Sequence, residues 1–158
     1  DYQRPYKWQS EHVRQLMSDL RYHQGKHAYR LGSFVFHEYK EDGQDGLDIV
    51  DGQQRLVTLL LIVYAIQQEA PALIKAECTS LLDLLHFKHE KSRENIARNY
   101  QEIRNALGSP DQDFVNFLLE TCEVVCFTLT DVSEAFQFFD SQNARGKPLD
   151  PHDLLKAY

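Results

Sequence analysis

A chain of 158 residues with 42% hydrophobic and 26% charged side chains has the size and apolar content of one ordinary folded domain and is not a disordered segment. Its formal charge of −7 excludes a broad nucleic-acid-binding face, because nonspecific affinity for nucleic acid comes mostly from Lys and Arg on phosphates; a local basic patch stays open. Three cysteines, Cys78, Cys122 and Cys126, lie in apolar stretches and cannot all pair, which reads as reduced core thiols of a cytoplasmic protein.

No basic segment followed by an apolar one opens the chain, and the apolar run from Leu56 to Ile66 is too short to span a bilayer. Neither export nor a membrane partner is therefore expected. A dense motif at the first residues, and a helical pattern still running from Asp153 to Tyr158, predict a single domain over residues 1–158 that is a fragment of a longer chain.

Asp1 to Trp8 alternates aromatic and basic residues, and Pro5 keeps Arg4 extended. Such a segment suits a cover over a site or over a core. With Ser10 as N-cap, Val13, Leu16, Met17 and Leu20 recur at helical spacing and predict an amphipathic helix to about His23. Leu31 to His37 has strand composition, Glu41 to Gly46 is its turn, and Leu47 to Val50 returns as the second strand of a hairpin. That hairpin places Gly32 and Ser33 near the end of the strand that feeds Asp51. Gly32 inside a strand marks either a bulge with tight aromatic packing or the close approach of another backbone or a ligand.

From Ile49 the chain turns at Asp51-Gly52 into a helix reaching Ile66, with apolar residues on every face, so this helix must be buried. Pro71 ends the pattern. Ala72 to Leu85 predicts a second apolar helix and His86 to Lys91 a charged loop. Ile96, Tyr100, Ile103 and Leu107 mark a third helix closed by Gly108. Ser109, with Pro110 at the first helical position and Gln112, starts a fourth that carries Phe114, Phe117 and Leu118. Val124 to Thr130 returns to strand composition, and Ser133 caps a short helix with Phe136 and Phe139. A polar loop from Asn143 to Leu149 carries Arg145 and Lys147, and Asp150 with Pro151 opens the last helix. The expected fold class is α+β: a small sheet with a β-hairpin running into a buried central helix, plus a helical layer.

Asp51 to Arg55 is where polar chemistry meets this core. Unpaired amides at a helix N-terminus can hold a phosphate or carboxylate, and Gly52 lets the anion approach the backbone. Asp51 also stands three residues before Gln54, the spacing of a capping box, and a cap is worth about 0.5 to 2 kcal/mol with no ligand at all. Capping requires neither two consecutive glutamines nor Arg55, and long polar side chains at the mouth of a buried helix cost entropy and desolvation unless they bind something. A helix dipole alone contributes about 0.3 to 1 kcal/mol, so affinity requires Arg55 and another cation, with Arg4, Arg145 and Lys147 as candidates. Asp51 repels a bare phosphate, so Mg²⁺ or a polarised water would lie between it and a nucleotide.

Other constellations are weaker. His86 and His89 lack further ligands and read as a solvated helix end, not a zinc site. Glu41, Asp42, Asp45 and Asp48 read as a wet hairpin turn. Walker A, Gly-x-Ser-x-Gly and paired-histidine zinc motifs are absent.

Three blocks in order carry a resemblance. Tyr2-Gln3-Arg4-Pro5-Tyr6-x-Trp8 comes first, then Leu31-Gly32-Ser33 through Ile49-Val50-Asp51-Gly52-Gln53-Gln54-Arg55-Leu56. Phe136-x-x-Phe139-x-x-x-Asn143-x-Arg145-Gly146-x-Pro148-Leu149 follows, with Asp153-Leu154-Leu155-Lys156. Together they resemble the GmrSD-type restriction endonuclease N-terminal domains across nearly the whole chain, with Val57 where threonine is more usual. The resemblance implies a ParB/sulfiredoxin-like fold and an Asp-Gly-x-x-Arg junction that binds or hydrolyses a nucleoside triphosphate, with Mg²⁺. It also implies bacterial defence against phage DNA, with cleavage carried by a separate C-terminal nuclease domain or a partner subunit. Carried over by position, Asp51, Gln54 and Arg55 are the catalytic residues and Asp51 the metal ligand. Gly32, Ser33, Gly52, Gln53, Arg4, Asn143 and Arg145 would bind the nucleotide. The alternative is a non-hydrolysing nucleotide-sensing or DNA-contacting domain.

Overall fold

The computed structural model describes residues 5–41, 43–74, 90–131, 133, 134 and 137. The fold is α+β, with a mixed three-stranded sheet in the order β2-β1-β3. Its strands are β1 (Tyr29–Glu41), β2 (Gln44–Asp51) and β3 (Cys122–Leu129). The helices are α1 (Ser10–His23), α2 (Gln53–Glu69), α3 (Glu90–Leu107) and α4 (Gln112–Asn116). The chain divides into two compact units, Asp1–Gly32 with Gln53–Val124, and Ser33–Gly52 with Val125–Tyr158.

The first unit is helical and is built round α2. Burial takes in Val57, Thr58, Leu61, Ile62, Val63, Ala65 and Ile66, and from Gln53 to Ile66 only Tyr64 is exposed. A helix apolar on every face can satisfy that composition only by accepting neighbours all round. α1 presents Val13, Leu16, Met17 and Leu20, α3 presents Ile103 and Leu107, and Phe114, Val115, Phe117 and Leu118 come from α4 and the π-helical turn that follows it. Tyr6, from the extended chain before α1, is buried in the same core. Removing one of these large side chains to Ala would cost about 2 to 5 kcal/mol. The Arg104 guanidinium ties α3 to Glu69 at the end of α2, at 2.6 and 2.7 Å.

The helix ends differ from the spacing in three places. Ser10 is the first helical residue and Gln9 the N-cap; the Gln9 N–H is answered by His12 Nδ1 at 3.1 Å, an imidazole doing what a Glu or Gln does in the usual capping box. Pro110 does not open the fourth helix: Asp111 caps it, accepting from the Phe114 N–H at 2.7 Å. The expected Asp51 and Gln54 box is not made, because α2 starts at Gln53 and the Gln54 carboxamide is turned to other partners. Gly108 does close α3, with φ +58° and its N–H on Arg104 O at 3.1 Å.

The second unit carries the hairpin. β1 and β2 pair antiparallel from Val35 opposite Asp51 to Glu41 opposite Gln44, with a bulge between Val35 and Phe36. Both strands run further than their apolar centres predict, so the turn is shorter than Glu41 to Gly46, with Gly43 at φ +77°. Phe34 and Val35 are buried. The strand expected from Val124 to Thr130 forms, over Cys122–Leu129; Cys126 is exposed and Cys122 is half-buried, packed against the core, so neither described cysteine is fully buried. Both are free thiols. At the C-terminal side, Asp131 Oδ1 accepts from the Ser133 N–H at 2.6 Å, so the capping atom belongs to Asp131 and not to Ser133.

The helix expected from Ala72 to Leu85 does not start as predicted, since Pro71–Leu73 is a 3-10 turn and Ile74 is extended, and the loop expected from His86 to Lys91 ends earlier, because α3 already begins at Glu90. The rest of that helix, Cys78, the histidine pair His86 and His89, Phe136, Phe139, Lys147 and the last helix lie outside the described residues. No helix of the described residues is long and apolar enough to cross a membrane.

Candidate functional site

Gly32 and Arg55, distant in sequence, meet in the first unit. Gly32 sits in β1 with φ +120°, and the position a Cβ would take is filled by the Arg55 guanidinium, whose Cζ would stand 3.0 Å away. The absence of a side chain at Gly32 is thus what lets a planar cation lie on the strand backbone. Neither reading the sequence leaves open for Gly32 is met as stated: what approaches the strand there is the Arg55 side chain, not another backbone or a ligand, and the bulge falls between Val35 and Phe36.

Arg55 is half-buried, and among the described residues no carboxylate pairs with it. Arg14, Arg30 and Arg104 each face a glutamate. Arg21 reaches the Leu107 carbonyl at 2.9 Å and covers the Phe114 ring, while Arg98 bonds Gln9 and Asn95, both at 2.7 Å. A half-buried guanidinium whose fork no described carboxylate matches is a ready partner for a phosphate or carboxylate. It lies in the first turn of α2, where the amides have no acceptor within the helix. Tyr29 is close by. Burial pushes its hydroxyl pKa up, Asp19 and Cys122 push the same way, and Arg55 pulls it down. Tyr29 itself stacks on His23 at 4.3 Å and on Phe117 at 6.3 Å between ring centroids.

Gln54 follows a different course. Its Oε1 accepts from the Lys7 N–H at 2.6 Å and the Trp8 N–H at 3.2 Å, and its Nε2 donates to Pro5 O at 3.2 Å. Both lone pairs of the carboxamide oxygen are committed to backbone. Gln53 opens α2 and is half-buried.

In the second unit, Ser33 and Gly52 come together. Gly52 has φ +91°, and a Cβ there would lie 3.0 Å from Ser33 O and against the Phe34 ring. The expected neighbourhood of Ser33 and the Asp51 end of the hairpin is therefore found. Asp51 is the last residue of β2, half-buried, opposite Val35. Arg4, Asn143 and Arg145 lie outside the described residues. Among the described residues no group of three or more His, Cys, Asp or Glu side chains could hold a metal ion.

A buried polar network beside this helix end had no motif to announce it. Tyr6 Oη lies 2.8 Å from Thr58 Oγ1 and accepts from Asn99 Nδ2 at 3.0 Å, and Thr58 Oγ1 donates to Gln54 O at 2.8 Å. The directions follow from proton count. Thr58 spends its one proton on a carbonyl, so Tyr6 must donate to Thr58 and Asn99 to Tyr6. The available signal was Ser92, Asn95 and Asn99, spaced three and four apart alongside the apolar stripe of α3, with Thr58 inside an otherwise apolar helix.

The family model described as the GmrSD restriction endonuclease, N-terminal domain, matches residues 1–158, the whole chain. No curated protein matches the chain.

Proposed function

Because the chain belongs to the GmrSD restriction endonuclease N-terminal domain family, we propose that it is a nucleotide-binding, Mg²⁺-dependent NTP-hydrolysing module of a bacterial restriction protein acting against phage DNA. The observation that carries this reading is the Arg55 guanidinium laid over Gly32 with no carboxylate among the described residues to neutralise it. Arg55 grips phosphate oxygens through its fork, the open amides of the first turn of α2 add donors, and Gln53 stands on that same turn. Asp51 is assigned to Mg²⁺ or to the attacking water, on its place in the Asp-Gly-Gln-Gln-Arg motif. A single carboxylate fits that ion, since Mg²⁺ bound with a nucleotide takes its remaining ligands from phosphates and water. When bound, the ion would neutralise charge on the terminal phosphates.

Ser33 and Gly52 are carried as nucleotide contacts, and so are Arg4, Asn143 and Arg145, on the family motif. A hairpin entering a buried helix supports a ParB/sulfiredoxin-like architecture. DNA would be met through the full-length protein and its nuclease domain or partner subunit, in keeping with the −7 charge of this chain.

Replacing Arg55 with Ala should lower nucleotide-dependent phosphate release by about 100-fold or more. Stability should move by no more than about 0.5 kcal/mol, since the described residues give this side chain no hydrogen bond or ion pair to lose. Unchanged hydrolysis by that variant would falsify the assignment. A second reading, nucleotide sensing without turnover, is favoured by the commitment of the Gln54 carboxamide to the Pro5 to Trp8 backbone. Titration with each nucleoside triphosphate alongside phosphate release separates the two: saturable binding with no release selects the sensor.

A further inference from the structure

Pro5 to Trp8 forms neither helix nor strand, yet every backbone polar group in it is met by a side chain. Gln54 Nε2 donates to Pro5 O at 3.2 Å, the Tyr6 N–H donates to Ser92 Oγ at 2.9 Å, and Asn95 Nδ2 donates to Tyr6 O at 2.8 Å. The Lys7 and Trp8 N–H groups share Gln54 Oε1 at 2.6 and 3.2 Å. Gln9 Nε2 donates to Lys7 O at 3.3 Å and Asn99 Nδ2 to Trp8 O at 2.8 Å. The segment is a strap tied down by α2 and α3, with the Tyr6 ring as its anchor in the core.

We infer that Gln54 is a positioning residue for Arg55 and not a group that touches nucleotide: its carboxamide latches the strap to the first turn of α2, and the latched strap holds that turn in place. The inference rests on the reading of Arg55 as a phosphate binder. Two ties converge on Gln54. Its side chain is held by Pro5, Lys7 and Trp8, and its carbonyl is held by Thr58, which Tyr6 and Asn99 orient in turn. A first helical turn has no acceptors behind it and frays unless something outside the helix fixes it. Arg55 is the next residue along that turn. Reaching a water or a phosphate would require Gln54 to give up the strap.

Trp8 is the only tryptophan in the chain. It is half-buried and stacks on His12 with centroids 5.7 Å apart, so its emission and its quenching by acrylamide report whether the strap is latched. The experiment compares wild type with Gln54→Ala, Gln54→Glu and Tyr6→Phe, measuring Trp8 quenching together with binding and hydrolysis of Mg·ATP and Mg·GTP. A latch raises Trp8 quenching in Gln54→Ala and weakens nucleotide binding about tenfold, chiefly in KM. Tyr6→Phe, which keeps the ring in the core and leaves the Gln54 side chain untouched, should move both readouts in the same direction by a smaller factor. Should Gln54→Ala fail to fold, this variant still decides the matter.

The inference is overturned if Gln54→Ala loses kcat while Trp8 quenching and KM stay at wild-type values and Tyr6→Phe is silent, because Gln54 would then act on the reacting atoms. It is equally overturned if Gln54→Glu, which loses the donor to Pro5, restores hydrolysis with the strap released. Absence of nucleotide binding by wild type overturns the phosphate reading of Arg55 and with it the positioning role; Trp8 quenching in Gln54→Ala then still shows whether Gln54 latches the strap.

Discussion

A methyl group at Gly32 would stand where the Arg55 guanidinium lies, on a backbone whose φ of +120° already disfavours any L side chain. Gly32→Ala therefore combines backbone strain with eviction of the cation. Urea melts should show a loss of about 1 to 3 kcal/mol, and nucleotide affinity should fall with it. Gly25→Ala is the control, because Gly25 has φ +92° and nothing within 4 Å of its Cβ position. It should lose stability from strain alone and leave nucleotide affinity unchanged; equal affinities in the two variants would sever Gly32 from the site. The sequence singled out Gly32 because glycine within a strand is costly, and Arg55 because an arginine at the mouth of a buried helix needs a reason. That the one is the reason for the other was not legible, since no local rule pairs a strand glycine with a helix arginine distant in sequence. Gln54 shows the reverse. Its spacing from Asp51 suggested a local cap, and a nonlocal partner with an acceptor and two donors, the Pro5 to Trp8 backbone, took it instead.

At the scale of elements, the joint between the strap, α2 and α3 is a one-way chain of donors from Asn99 through Tyr6 and Thr58 to the Gln54 carbonyl. Thr58 and Asn99 are fully buried and Tyr6 is 1% exposed, so breaking the chain at one point leaves a desolvated group behind. Thr58→Val keeps the shape and strands the Tyr6 hydroxyl, at an expected cost of about 1 to 3 kcal/mol. Tyr6→Phe removes the hydroxyl that Thr58 and Asn99 face. With both changes, the orphan between Tyr6 and Thr58 disappears, and the double variant should be more stable than the sum of the singles by about 0.5 to 3 kcal/mol. Strict additivity in urea denaturation would mean the Tyr6 to Thr58 contact contributes nothing. Periodicity revealed α1, α2 and α3 because each has apolar residues at repeating positions. It could not reveal the strap, whose order comes from side chains of Gln54, Ser92, Asn95 and Asn99 answering backbone groups far along the chain. Helix starts depart from the sequence spacing for a related reason. Ser10 and Pro110 are statistically good openers, but His12 at Gln9 and Asp111 at Phe114 supply better-placed partners.

At the scale of the molecule, the apolar composition of α2 foretold a buried centre, whereas the apolar β3 is largely exposed, because burial depends on what neighbours provide and not on the strand itself. The same neighbours set the response to pH. Burial raises the pKa of Tyr6, Tyr29 and Tyr100 above the ordinary 10.0 and pushes the Cys122 thiol from 9.0 up to about 11. All four belong to the unit built round α2. Each holds its proton more tightly folded than unfolded, so each contributes stability that is complete below the unfolded value. That contribution is lost as pH rises through the folded value. The Cys122 share therefore goes between pH 9.0 and about 11, and the tyrosine shares follow as pH rises above 10.0. The urea midpoint should hold steady up to pH 9 and then fall, with Tyr6→Phe starting lower and falling less steeply because one of the shifted protons is gone. Alkylation separates the two thiols. Cys126 is exposed and Cys122 half-buried with a raised pKa, so at pH 8 iodoacetamide should label the Cys126 peptide first. A midpoint that stays flat to pH 11, or faster labelling at Cys122, would show that these groups meet water in the folded chain and that the unit round α2 is looser than its buried side chains imply.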